Sequence, residues 1–173
     1  MTQVPIDTDR LRLRLLTEAD AEALHAIYGD PETMRFIGAS GRATADHDGT
    51  RRVLDWLLAH ERDHGFGLWA VDERNGEPLV GVAGLLLVEG TGPEVEAVYL
   101  VRRDRWGRGY APEALRAVLD HGHRVLGLDR IVALAWPEHE RSLRVMRFAG
   151  MRDDGEIVAY GRPMRRFVSE PTP

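Results

Sequence analysis

The stretch from residue 94 to residue 127 constrains this chain more than any other. Residues 94–102 read as a strand, and Gly107 and Gly109 sit in the short loop after it. Residues 110–126 then read as a helix, with Ala111, Leu115, Val118, Leu119, Gly122 and Val125 as its inner stripe, Pro112 near its first turn and Gly127 at its C′ position. A strand that runs through a glycine loop into a helix start is a physical anion site. The first helical N–H groups have no intrahelical partners, and the helix dipole adds partial positive charge. Glycine lets the backbone come close to a phosphate and take unusual φ values. Arg102, Arg103, Arg105 and Arg108 crowd the same stretch and match a diphosphate. No Gly-Lys-Ser/Thr follows, so this is not a Walker loop, and Gly-x-Gly-x-x-Gly is absent, so it is not a dinucleotide fingerprint.

The remaining segments surround this unit with both kinds of element. Residues 10–16 alternate strictly as Arg-Leu-Arg-Leu-Arg-Leu-Leu, a half-buried strand with its arginines on the wet face. Thr17 with Asp20 makes a near capping box for a helix running to about Tyr28, and Gly29-Asp30-Pro31 stops it. Residues 31–43 are short helix or loop. A second helix is predicted over 44–63, with Val53, Trp56, Leu57 and His60 on one face. Strands 66–73 and 79–88 flank Asn75-Gly76, which favours a two-residue type I′ turn. After the central helix come a strand at 130–136, a helix at 138–149 capped by Gly150, and strands near 152–160 and 163–168. The expected fold is therefore α+β, with mixed α/β layers in which helices flank a largely antiparallel sheet. It forms one domain over 1–173, ordered over about 8–168.

Composition removes several chemistries. The chain has 173 residues, enough for one sizeable core, and its net charge of −5 argues against a general nucleic-acid binder. It has no cysteine, which excludes disulfides, thiolate metal sites and cysteine nucleophiles. All 23 basic residues are arginine, so no Schiff-base or general-base lysine exists. No apolar run approaches a membrane span, and the N-terminal residues lack a secretory pattern, so a cytoplasmic location is expected.

The segment Arg105-Trp106-Gly107-Arg108-Gly109-Tyr110-Ala111-Pro112-Glu113-Ala114-Leu115 resembles the acetyl-CoA loop of the GNAT N-acetyltransferase superfamily, in particular its RimJ/RimL-like, ribosomal-protein N-terminal acetyltransferase branch. The superfamily motif is Gln/Arg-x-x-Gly-x-Gly/Ala, and Trp106 stands at its first residue, as is familiar in that branch. Residues 8–14, 79–85 and 142–151 are similar to its opening strand, central hairpin, and last helix with the following turn. One departure is His139, where the branch usually has asparagine before a serine, here Ser142.

The resemblance implies an N-acetyltransferase that moves acetyl from acetyl-CoA to a primary amine by direct attack, without a metal. It implies pantetheine along residues 97–103, polarisation of the thioester by the N–H of Leu100 or Val101, and a pyrophosphate on the N–H groups of Arg108, Gly109 and Ala111. Arg103, Tyr110, His139 and Ser142 complete the expected cofactor contacts, and Tyr110 packs beside the cofactor. An acceptor α-amino group has a pKa near ~8 and a lysine amine near ~10.4, so a base is required. Glu96 is the candidate, with Glu94 its rival on the same face. Ser142 is the candidate for contacting or protonating the departing sulfur, with Tyr99 and Tyr110 as alternative hydroxyls. The acceptor, a protein N-terminus or a small-molecule amine, is expected to lie against residues 28–45 and the final strands. There Asp30, Glu32, Asp46 and Asp48 could attract a cation. The resemblance also allows a homodimer. A second reading is a non-catalytic acyl-CoA-binding sensor or interaction module. Residues 60–64, His-Glu-Arg-Asp-His, match the zincin pattern literally, but lie at a charged helix end with no evident third ligand.

Overall fold

A computed structural model describes residues 4–38 and 40–171. In chain order the elements are β1 (Ile6–Asp7), β2 (Leu11–Arg14), α1 (Ala21–Tyr28), α2 (Pro31–Met34), α3 (His47–His64), β3 (Leu68–Glu73), β4 (Gly81–Leu87), β5 (Val95–Val101), α4 (Tyr110–Arg124), β6 (Ile131–Ala135), α5 (Glu140–Phe148), β7 (Arg152–Ala159) and β8 (Arg162–Ser169). The strands form one sheet in the order β1-β2-β3-β4-β5-β6-β8-β7. Every neighbouring pair is antiparallel except β5 with β6. The expected α+β architecture is therefore present, including the largely antiparallel sheet.

Both faces of the central strands are covered, which explains their near-continuous apolar runs. Trp69, Val71, Ala83, Leu85, Ala97, Ile131 and Ala133 pack with Leu115, Val118 and Leu119 of α4 and Met146 of α5. The alternate residues Leu68, Ala70, Val82 and Leu100 pack with Leu24 and Ile27 of α1 and Leu54 and Leu57 of α3. The first core thus lies under α4 and α5 and the second under α1 and α3.

Several local readings change. The helix predicted from residue 44 starts at His47, because the Asp46 carboxylate caps it by accepting the Gly49 N–H at 2.7 Å. Its buried face is Thr50, Leu54, Leu57 and His60, while Trp56 is 47% exposed. On α4, His121 joins the buried stripe and Val125 leaves it. Arg14 is not on a wet face; it bridges Asp20 and Asp72, both at 2.8 Å. No type I′ turn forms at Asn75-Gly76, since neither residue has positive φ. The chain instead turns at Glu73–Gly76 and runs to Leu79, whose N–H donates to Asp72 Oδ1 at 2.8 Å, before β4 starts at Gly81. The Thr17–Asp20 capping box is present.

Candidate active site

The parallel pair β5–β6 opens almost as soon as it forms. β4 and β5 share seven paired positions, whereas β5 meets β6 only at Glu96 and Val132. Arg102 N–H donates to Val80 O at 2.8 Å and Val88 N–H to Glu94 O at 3.0 Å. The even-numbered residues of β5 therefore turn their backbone groups toward β4, and Tyr99 and Val101 turn theirs toward the opening. Of the two amides expected to face a thioester, Leu100 N–H points into the sheet and Val101 N–H points into the gap. Tyr99 N–H joins it there.

Glu96 stands where the strands part. A continued ladder would give the Leu134 N–H to a β5 carbonyl; it donates to the Glu96 carboxylate instead. The Tyr160 hydroxyl donates to Glu96 Oε2 at 2.5 Å. The residue is 6% exposed, and burial pushes its carboxyl up to about 7 despite those two donors. Glu94, by contrast, precedes the strand, is 38% exposed, and lies 3.6 Å from Arg166 and 4.0 Å from Arg130.

On the opposite face, Tyr99 Oη and the buried Ser142 Oγ are 2.7 Å apart. Burial holds the Tyr99 phenol in its protonated form. The pair links β5 to the first turn of α5 and so fixes the width of the gap at that level.

The glycine loop closes the same end. Gly107 and Gly109 have φ of 77° and 79°, and no side chain caps α4, which begins at Tyr110. The arginines divide into two groups. Arg102 and Arg105 are committed to the β3–β4 turn: Arg102 reaches Asp104 at 2.6 Å and Glu77 at 2.7 Å, and Arg105 reaches Glu73 at 3.0 Å and Glu77 at 3.2 Å. Arg103 and Arg108 are 64% and 51% exposed, and their nearest acids are distant, Asp30 at 3.9 Å and Glu73 at 3.8 Å. Two of the four arginines can therefore turn to an anion. Tyr110 donates to Glu73 Oε1 at 2.9 Å, which ties the helix start to the same turn. Trp106 donates its indole N–H to Val101 O at 2.7 Å, supplying a partner to a carbonyl that β6 no longer reaches. Arg141, from α5, lies over the Trp106 ring at 4.4 Å.

The segment after α1 reaches both sides of the gap. Asp30, which caps α2, faces Arg103 at the end of β5. Gly38 O accepts the indole N–H of Trp136 at 3.1 Å, just past β6. Phe36 packs edge-on to Trp136 with centroids 5.5 Å apart and stacks on His139 at 4.5 Å. Burial lowers the His139 pKa to about 4, so the ring is a neutral aromatic wall and makes no side-chain cap for α5. Arg162 lies over Trp136 at 3.2 Å. Sequence reasoning missed Tyr160, Trp136, Phe36 and Arg162, whose roles depend on long-range placement that no local spacing announces.

The zincin-like pattern is structural. His60 Nδ1 donates to Phe66 O at 3.1 Å and Nε2 accepts the Leu87 N–H at 3.2 Å, so both ring nitrogens are occupied in joining α3 to the sheet. Among the described residues no group of three or more His, Asp or Glu is placed to hold a metal.

A sheet of this order, opened at one parallel pair with a glycine loop and helix start at the mouth, is the architecture of an acetyltransferase. The chain belongs to the GNAT family: the model for the acetyltransferase (GNAT) domain matches residues 10–152. It is an N-acetyltransferase by that membership. It is similar to the uncharacterized protein YkkB of Bacillus subtilis (strain 168), 32% identical over 91% of this chain and 90% of that protein. The uncharacterized N-acetyltransferase YoaA of the same organism is 26% identical over 90% of this chain and 86% of its own. An acetyltransferase structure from Agrobacterium tumefaciens str. C58 superposes with a TM-score of 0.82 at 26% identity, covering 99% of this chain and 96% of that one.

Proposed function

We propose that this acetyltransferase moves the acetyl group of acetyl-CoA to a primary amine, on a protein N-terminus or a small molecule, by direct attack with Glu96 as general base. The observation that carries the reading is the buried Glu96 carboxylate at the parting of β5 and β6, poised near neutral pH. The helix start supports a pyrophosphate on the N–H groups of Arg108, Gly109 and Ala111, with Arg103 and Arg108 free to add charge. Acetyl-CoA supplies an activated acyl carbon and a thiolate leaving group. The Val101 N–H is directed where a thioester oxygen would develop negative charge. Glu96 takes the amine proton on one face of β5, and Ser142 with Tyr99 offers hydroxyls to the departing sulfur on the other. His139 contributes shape to the wall rather than charge.

The loop carrying Asp30 and Phe36 spans the gap, which supports an acceptor seated beneath it. The sequence of residues 105–115 supports placement in the RimJ/RimL-like branch. The test is thiol release and acetyl-product mass with acetyl-CoA and a defined amine panel: peptides with free Ser, Ala or Met N-termini, lysine, a linear polyamine and an aminoglycoside. Turnover with wild-type chain that disappears in Glu96→Gln supports the reading. Full turnover by Glu96→Gln removes Glu96 as base.

A further inference from the structure

Glu96 has a problem as a base: it is almost fully covered. Its carboxylate has two hydrogen-bond donors, the Leu134 N–H and the Tyr160 hydroxyl. A peptide N–H does not pass protons during turnover. A phenol does, because it donates one proton while accepting another. Tyr160 is half-buried where Glu96 is buried, and its hydroxyl is the side-chain group that touches the carboxylate.

The placement is held by contacts far apart in sequence. Tyr160 has φ of 55° at the tip of the β7–β8 hairpin, and its N–H donates to Glu89 Oε1 at 2.5 Å. Glu89, in the loop between β4 and β5, also has φ of 55°, and its N–H donates to the Tyr160 oxygen at 3.2 Å. Two non-glycine residues in the left-handed region thus hold one another through reciprocal hydrogen bonds. The Glu89 N–H orients the phenol so that its proton points at Glu96 and a lone pair remains open. The titratable groups that act on the phenol are Glu96 of β5 and Glu89 of the loop.

We infer that Tyr160 is the proton conduit between the acceptor amine and Glu96. The inference rests on Glu96 being the base. As the amine nitrogen forms its bond to the acetyl carbon, its proton passes to Tyr160 Oη while the phenolic proton passes to Glu96 Oε2. The C–S bond breaks and its electron pair leaves on sulfur as thiolate. Tyr160 ends as it began, and Glu96 carries the proton.

The test uses the full chain with acetyl-CoA and the most active amine of the panel above. Tyr160→Phe keeps the ring and the backbone grip on Glu89, and should bind CoA with wild-type affinity while kcat falls roughly 10²-fold. Wild type should show a curved dependence of rate on the fraction of deuterium in the solvent, from two protons moving together, and Tyr160→Phe a linear one. Incorporation of 3-fluorotyrosine at 160, which keeps shape and hydrogen bonding but changes acidity, should alter kcat. Wild-type kcat and isotope curvature in Tyr160→Phe, with Glu96→Gln still inactive, would overturn the conduit and leave the base standing. If Glu96→Gln is fully active, or no panel amine turns over, base and conduit fall together.

Discussion

Glu96→Gln should lose turnover and gain stability, and the gain should grow as pH rises from 4.5 and level off above 7. The folded carboxyl titrates at about 7 against an ordinary 4.5, so the folded chain holds this proton more tightly than the unfolded one. Where the folded state binds more protons, stability falls as pH rises. This group therefore costs nothing below pH 4.5, costs progressively more between 4.5 and 7, and costs a constant amount above 7. That plateau is about 3 kcal/mol from a shift of this size. Glutamine keeps the shape and an acceptor for Tyr160 but sets an amide against the Leu134 N–H in some rotamers, a loss of about 1 kcal/mol. The net gain at pH 8.5 is then about 2 kcal/mol, or roughly 4–8 °C in Tm for a chain of this length. At pH 4.5 the variant should be equal to wild type or slightly less stable. Thermal unfolding of both proteins at the two pH values reads the difference directly. A Tm difference that is the same at pH 4.5 and 8.5 would refute the claim that burial of this charge sets its pKa.

Gly109→Val puts a β-branched residue at φ 79°, with its Cβ 3.4 Å from the Arg10 guanidinium, so it should cost about 1–2 kcal/mol of stability. It should also weaken CoA binding at least tenfold by calorimetry, and unchanged affinity would contradict the loop assignment. Glu113→Ala removes the acceptor for Thr8 Oγ1 at 2.6 Å, Arg10 N–H at 3.0 Å and Arg10 Nε at 2.7 Å, the contacts that pin the start of α4 to the first strands. It should lower stability by about 2 kcal/mol in urea titration, and an unchanged midpoint would show the pin to be idle.

What the sequence made legible was local. Gly107 and Gly109 before an amphipathic helix announced an uncapped helix start, and the alternation of Leu11 and Leu13 announced a strand whose leucines are fully buried. What it hid was long-range. Arg102, Arg103, Arg105 and Arg108 look equivalent on the page, yet the acids of a turn some 30 residues earlier claim two of them. The opening between β5 and β6 has no composition of its own; it exists because a carboxylate takes one ladder N–H and an indole takes one carbonyl. In the sequence Glu96 is a candidate base through the family resemblance alone, and nothing nearby shows that Tyr160 covers it. Trp56 and Leu54 exchanged places on α3 because their spacing fits either of two adjacent faces, and only packing against Leu57 and the sheet decides.

The proposed reaction requires that the β5–β6 opening and the start of α4 receive one ligand together. A crystal structure of the chain with CoA measures this most directly. It should place the pyrophosphate against the N–H groups of residues 108–111 and the pantetheine beside Val101, with the sulfur between Glu96 and the Ser142–Tyr99 pair. Density for CoA elsewhere, with β5 and β6 drawn together, would contradict the account.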